Sequence, residues 1–99
     1  MSIESATTKI KEKVGEDCGL ASTLKFDCGD DGVIFLDANV VPNVVSNDNN
    51  DAACTVKLSL ADLEAMIGGE LDPMAAFSLG KLQLDGDMAV AMKLGNIIK

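Results

Sequence analysis

The chain has 99 residues, enough for one domain around one hydrophobic core. Sixteen acidic residues stand against eight lysines, with no Arg and no His, giving a net charge of −8. That balance excludes nucleic-acid binding by phosphate neutralisation and electrostatic docking on anionic lipid, since both need a clustered basic surface. Its plain consequence is solubility through mutual repulsion.

Apolar residues make up 47% of the chain, but aromatics only 3%: three Phe, with no Trp or Tyr. The interior is therefore built from Leu, Ile, Val and Ala, with five Met that fill irregular spaces and accept variable apolar partners. Cys18, Cys28 and Cys54 are odd in number, widely spaced and without a CxxC pair, which predicts reduced thiols in a reducing, cytoplasmic setting. The opening residues Met1 to Ser5 are polar and lack the apolar region of a signal peptide. No apolar stretch approaches the length of a membrane span.

In chain order, Ile10 and Val14 lie four apart among Lys9, Lys11, Glu12 and Lys13, predicting an amphipathic helix over Ser5 to Glu16 that ends near Gly15. From Leu20 the period falls to two. Leu20, Leu24, Phe26 and Cys28 alternate with polar or small residues in a half-buried strand. A turn at Asp30-Asp31-Gly32 leads to a second strand, Val33 to Ala38, and a hairpin loop through Pro42 returns along Val44 and Val45. The polar run Ser46 to Asp51 reads as an exposed turn, and Cys54, Val56, Leu58 and Leu60 as the apolar side of a fourth strand.

Ser59 and Asp62 form a capping-box pattern before the apolar stripe Leu63, Met66 and Ile67, and Gly68-Gly69 ends that helix. Asp72 as N-cap and Pro73 as first helical residue open another, carrying Met74 and Phe77 to Gly80. Leu82 and Leu84 mark a short fifth strand, and Asp87 caps a final helix predicted over Met88 to Ile98. That helix is apolar nearly all round, so it must be buried on several sides or cover something apolar. The order of elements predicts an α+β layer: helices on one face of a five-stranded, antiparallel-rich mixed sheet.

Catalytic and metal-binding readings find little support. Cys54 has no His to serve as its base and reads as a small buried apolar residue, as do Cys18 and Cys28. Asn47 stands where a calcium loop needs an acid, and Ala52 where it needs Gly. Asp85 and Asp87, around Gly86, are explained as turn and cap residues. No cofactor-binding motif is present and no enzyme activity is expected.

The run from Leu71 to Leu94 resembles the sterol carrier protein type-two (sterol-binding) domain, most specifically at Asp72-Pro73, Ala76-Phe77, Gly80-Lys81-Leu82, Gly86-Asp87-Met88 and Ala91-Met92-Lys93-Leu94. Cys54 to Ile67 fits the same family. The resemblance implies a single lipid-binding domain over residues 1–99, with an apolar tunnel between sheet and helices. It implies binding of lipids, with long-chain fatty acids and fatty acyl-CoA favoured and sterol-like molecules next, and an enzyme of lipid metabolism as partner. Phe26, Phe35, Val56 and Leu58 from the strands are the lining expected on the sheet side, with Leu82 and Leu84. Leu63, Met66, Ile67, Met74, Phe77, Leu79, Met88 and Met92 are the lining expected from the helices and their ends.

Burying about sixteen methylenes yields ~13 kcal/mol at about 0.8 kcal/mol each. Association costs of ~4–15 kcal/mol reduce that to micromolar-class binding or weaker, as suits a carrier. Two features depart from the family pattern. Leu79 stands where a polar, glutamine-like residue is expected, and Ile97-Ile98-Lys99 is not a Ser-Lys-Leu-type peroxisomal address.

Spacing alone leaves two readings open for the Met and Phe stripe, a filled core or a pocket. A domain with a filled interior would serve protein interaction or dimerisation instead. Val40-Val41-Pro42 is open in the same way: it either touches a membrane or partner transiently, or folds over the sheet edge.

Overall fold

A computed structural model describes residues 3–15, 19 and 21–93 of the chain. Its elements are α1 (Ile3–Val14), β1 (Thr23–Asp27), β2 (Val33–Asp37), β3 (Val44–Ser46), β4 (Cys54–Leu58), α2 (Leu60–Ile67), α3 (Pro73–Ser78), β5 (Leu82–Gly86) and α4 (Met88–Met92). One turn of 3-10 helix at Gly29–Asp31 joins β1 to β2. Glu16, Cys18 and Leu20, and the part of the last expected helix beyond Lys93, lie outside the described residues.

The five strands form one mixed sheet, as expected, and its order is β3-β2-β1-β4-β5. Only β1 and β4 run parallel; the other three pairs are antiparallel. Registers align Leu24 with Leu36 and Cys54, Phe26 with Ile34 and Val56, and Leu58 with Leu82. One face is thus continuous aliphatic surface, and the helices cover it. Leu24, Phe26, Ile34, Leu36, Cys54 and Val56 on the sheet are fully buried with Ile10, Leu63 and Met66 from the helices. Each large side chain so enclosed contributes about 1.5–3 kcal/mol.

The parallel pair needs a crossover: Asn47 to Asp51 are exposed, as expected, but they form that crossing connection and not a turn. The polar connection from β3 to β4 runs across the sheet on the side away from the helices. Lys25 Nζ donates to Asn49 Oδ1 at 3.0 Å and Ala53 N donates to Thr23 Oγ1 at 2.8 Å, and both strand residues point to that side. Asn47 Nδ2 donates to Val33 O and to Thr7 Oγ1, each at 2.9 Å, tying the connection to α1.

Two element ends differ from the sequence reading for local reasons. β4 stops at Leu58 because Ser59 turns into the N-cap of α2, where its Oγ accepts a hydrogen bond from Asp62 N at 3.1 Å. The Val40-Val41 stretch does not fold over the sheet edge: both residues are exposed at the tip of the β2–β3 hairpin.

Gly86 is the tightest backbone position. It pairs with Cys54 at φ +112°, where a Cβ would collide with the Ala53 carbonyl oxygen, which also accepts a hydrogen bond from Asp87 N at 2.7 Å. Gly86→Ala combines a disfavoured dihedral with a backbone clash, and its expected cost is about 2–4 kcal/mol of stability, read from urea denaturation midpoints.

Candidate functional site

Coverage of the apolar face is uneven. α1 packs on α2, β2 and β3 and closes one half of the sheet; α3 lies on β5, and α4 on β4 and β5. The last two are only six and five residues long. Isolated helices of that length have almost no stability of their own, so contact with the sheet holds them.

Each short helix buries only small or compact side chains. In α3 these are Pro73 and Ala76; in α4, Val90 and Ala91. The large apolar side chains face outward: Met74 is 63% exposed, Phe77 45%, Met88 50% and Met92 77%. Between the helices and β5 lies a void of about 60 Å³ lined by Met74, Phe77, Leu84, Met88, Ala91 and Met92. Every lining side chain is apolar. The volume is room for about two waters, whose share of liquid volume is about 30 Å³ each. Ligand pockets for small molecules usually occupy about 300–1,000 Å³.

Five of the expected lining residues therefore meet at one place: Met74, Phe77, Leu84, Met88 and Met92. Ala91 joins them and was missed, although its spacing of three from Met88 puts it on the same helix face. Phe26, Val56, Leu58, Leu63, Met66, Ile67 and Leu82 are instead packed into the closed core. Leu79 is the exposed C-cap of α3, outside the void. Phe35 is a correction. It pairs with Lys25, so alternation puts it on the face opposite the helices, where the crossover connection runs. It is buried there, but the sheet separates it from the void.

Volume does not identify the site. Two larger depressions, about 360 and 340 Å³, are open surface grooves whose linings mix charged and apolar residues. Lys9, Glu12 and Lys13 flank one beside Ile67; Asp27 and Lys57 flank the other beside Cys28 and Leu58.

The thiols are tuned away from reactivity. Burial pushes Cys28 up to about 11, helped by the carboxylates of Asp31, Asp27 and Glu64. Burial raises Cys54 as well, followed by Asp87 and Asp85. Both remain neutral thiols at neutral pH, the wrong form for a nucleophile. Among the described residues no cluster of three His, Cys, Asp or Glu is arranged to hold a metal ion. A thiol raised on folding stabilises the fold fully below its unfolded value near 9.0, and that contribution fades as pH climbs through about 11. Stability from urea titrations is expected to fall over that window, and Cys28→Ser to flatten the fall. Iodoacetamide at pH 8 is expected to label both buried cysteines slowly until the chain is unfolded.

Residues 8–99 match the model of the SCP-2 sterol transfer family. Over 55 residues the chain is 40% identical to sterol carrier protein 2 of Bos taurus, an alignment covering 56% of this chain and 10% of that protein. The chain thus spans about a tenth of the length of this curated relative. The crystal structure of sterol carrier protein 2 like 2 from Aedes aegypti superposes with a TM-score of 0.76 at 25% identity, covering 99% of this chain and 97% of that one. The solution structure of the palmitated form of the same mosquito protein gives 0.71 at 26% identity, covering 99% and 95%. With the fold, the sheet order and a family match running from α1 past α4, this chain belongs to the SCP-2 sterol transfer family.

Proposed function

We propose that this chain is a single lipid-binding domain that takes up a long apolar molecule between α3, β5 and α4 and releases it unchanged. The observation that carries the reading is the wholly apolar lining of the gap at β5, with large side chains from both short helices exposed around it. The solution structure of a palmitated mosquito neighbour supports a long acyl chain as the ligand type. Fatty acids and fatty acyl-CoA are accordingly the first ligands to try, with sterol-like molecules second.

Binding requires the gap to widen. α4 is the element suited to move, since it is five residues long and buries only Val90 and Ala91. Displacing it by the width of an acyl chain leaves the α1–α2 half of the core untouched. Met74, Met88 and Met92 then line the enlarged gap, their unbranched side chains following ligands of different shape. Selection is by chain shape and greasiness, and affinity is micromolar-class or weaker.

The reading is non-catalytic. Neither described thiol is activated, and the lining side chains offer no acid, base or nucleophile. An enzyme of lipid metabolism is the partner class that fits such a carrier. The two free, buried thiols suit a reducing compartment, and we assign the chain to the cytoplasm. No helix among the described residues is long and apolar enough to cross a membrane; transient membrane contact suffices for loading.

One observation favours a second reading. A void of about 60 Å³ is small, and the same exposed side chains would serve as a dimer face in a non-binding interaction domain. Native mass spectrometry after expression in a lipid-rich host separates the two. Co-purified lipid, with displacement of a fluorescent fatty acid, is the expected result. Phe77→Asp is expected to weaken that binding at least about ten-fold while leaving the melting temperature nearly unchanged, because Phe77 is half exposed. No lipid and no displacement, together with a concentration-dependent dimer in ultracentrifugation, would favour the second reading.

A further inference from the structure

We infer that Met74, Met88 and Met92 form a modification site: peroxide oxidises their thioethers to sulfoxides, and the gap then loses its affinity for apolar chains. The inference rests on the lipid-binding reading above and adds a chemical control to that same site.

The methionines among the described residues fall into two groups. Met66 is 1% exposed and enclosed in the core. Met74, Met88 and Met92 are all half exposed or more, and all three line the gap between α3, β5 and α4. Half of the six lining side chains thus carry a sulfur that a dissolved oxidant can reach. Competing targets are scarce. The chain has no Trp, Tyr or His, which oxidants also attack. Cys28 and Cys54 are buried and held as protonated thiols, the slow form toward peroxide.

The reaction transfers one oxygen atom and two electrons. A sulfur lone pair attacks an oxygen of hydrogen peroxide, and the O–O bond breaks. The proton on the transferred oxygen passes to the departing hydroxide, which leaves as water, and the oxidised sulfur is a sulfoxide. A flexible apolar side chain becomes a polar one with a strong acceptor. The described lining is apolar throughout and offers that acceptor no side-chain donor. An acyl chain entering the gap would have to strip water from the sulfoxide oxygen with nothing in exchange. All three sulfurs lie outside the sealed core, so the fold survives the change.

The test treats the intact protein with hydrogen peroxide, then with dithiothreitol to return any oxidised thiols, and measures binding of a fluorescent fatty acid. Peptide mass spectrometry is expected to find Met74, Met88 and Met92 oxidised well before Met66. Affinity for the probe is expected to fall about ten-fold or more, with the melting temperature nearly unchanged. Methionine sulfoxide reductases A and B together, one for each sulfoxide epimer, are expected to restore it. The triple variant Met74→Leu, Met88→Leu, Met92→Leu keeps the lining apolar without its sulfurs. Whatever its starting affinity, the same treatment is expected to change it less than about two-fold. Three sulfoxides with unchanged affinity would overturn the inference and leave the lipid-binding reading standing. So would a loss that the reductases do not reverse, an equal loss in the triple variant, or oxidation of Met66 at the same rate as the others. Failure of the untreated protein to bind the probe would overturn both readings at once.

Discussion

The five strands put their aliphatic side chains on one side of the sheet, and that face has to be covered. Alternation along each strand and the register between strands together create an apolar surface too broad for any one helix of this chain. Everything else follows from how the cover is divided. α1 packs on α2 and lies over β2 and β3, and Ile10, Leu63 and Met66 from the two helices are fully buried. At the β5 edge the cover among the described residues is two short helices. They seal with Ala76, Val90 and Ala91, and their larger side chains remain outside. The same demand for burial thus yields a rigid half and a loosely covered half.

Electrostatics follows the same division. Lysines on α1 spread over the closed half, while the aspartates at the helix starts gather toward the β5 half. These aspartates are structural first. A five- or six-residue helix without an N-cap would lose about 1 kcal/mol that it cannot spare.

Most of the architecture was legible in the sequence because it is written in short-range chemistry. The switch of period near Leu24, the Ser59 and Asp72 caps and the Gly68-Gly69 stop each depend on neighbours a few residues away. What stayed hidden depends on pairing across the chain. Phe35 lies in the hydrophobic run Val33 to Leu36, where alternation is masked, and only its pairing with Lys25 reveals the opposite face. The crossover from β3 to β4 is hidden for the same reason, since a polar run reads alike whether it closes a hairpin or spans a sheet. For the site, helical spacing found Met74, Phe77, Met88 and Met92 but could not separate side chains facing the gap from those sealed in the core. Leu63 and Met66 have the same spacing and are fully enclosed. Ala91 was passed over because it is small, although its size is part of what leaves the void unfilled.

All six residues around the gap fall within positions 74–92, a single uninterrupted stretch. The core that holds the fold draws on partners far apart along the chain, from Ala6 to Ala91, and takes Ala76, Leu82, Val90 and Ala91 from that same stretch. The lining of the gap is therefore encoded in one short part of the gene, and most of the core lies outside it. A short cassette, α3-β5-α4, can accumulate substitutions or be exchanged between relatives while the remote pairings of β1 with β2 and β4 hold the scaffold constant. Such an arrangement gives natural variation a narrow target for reshaping the gap, and gives an engineer the same one.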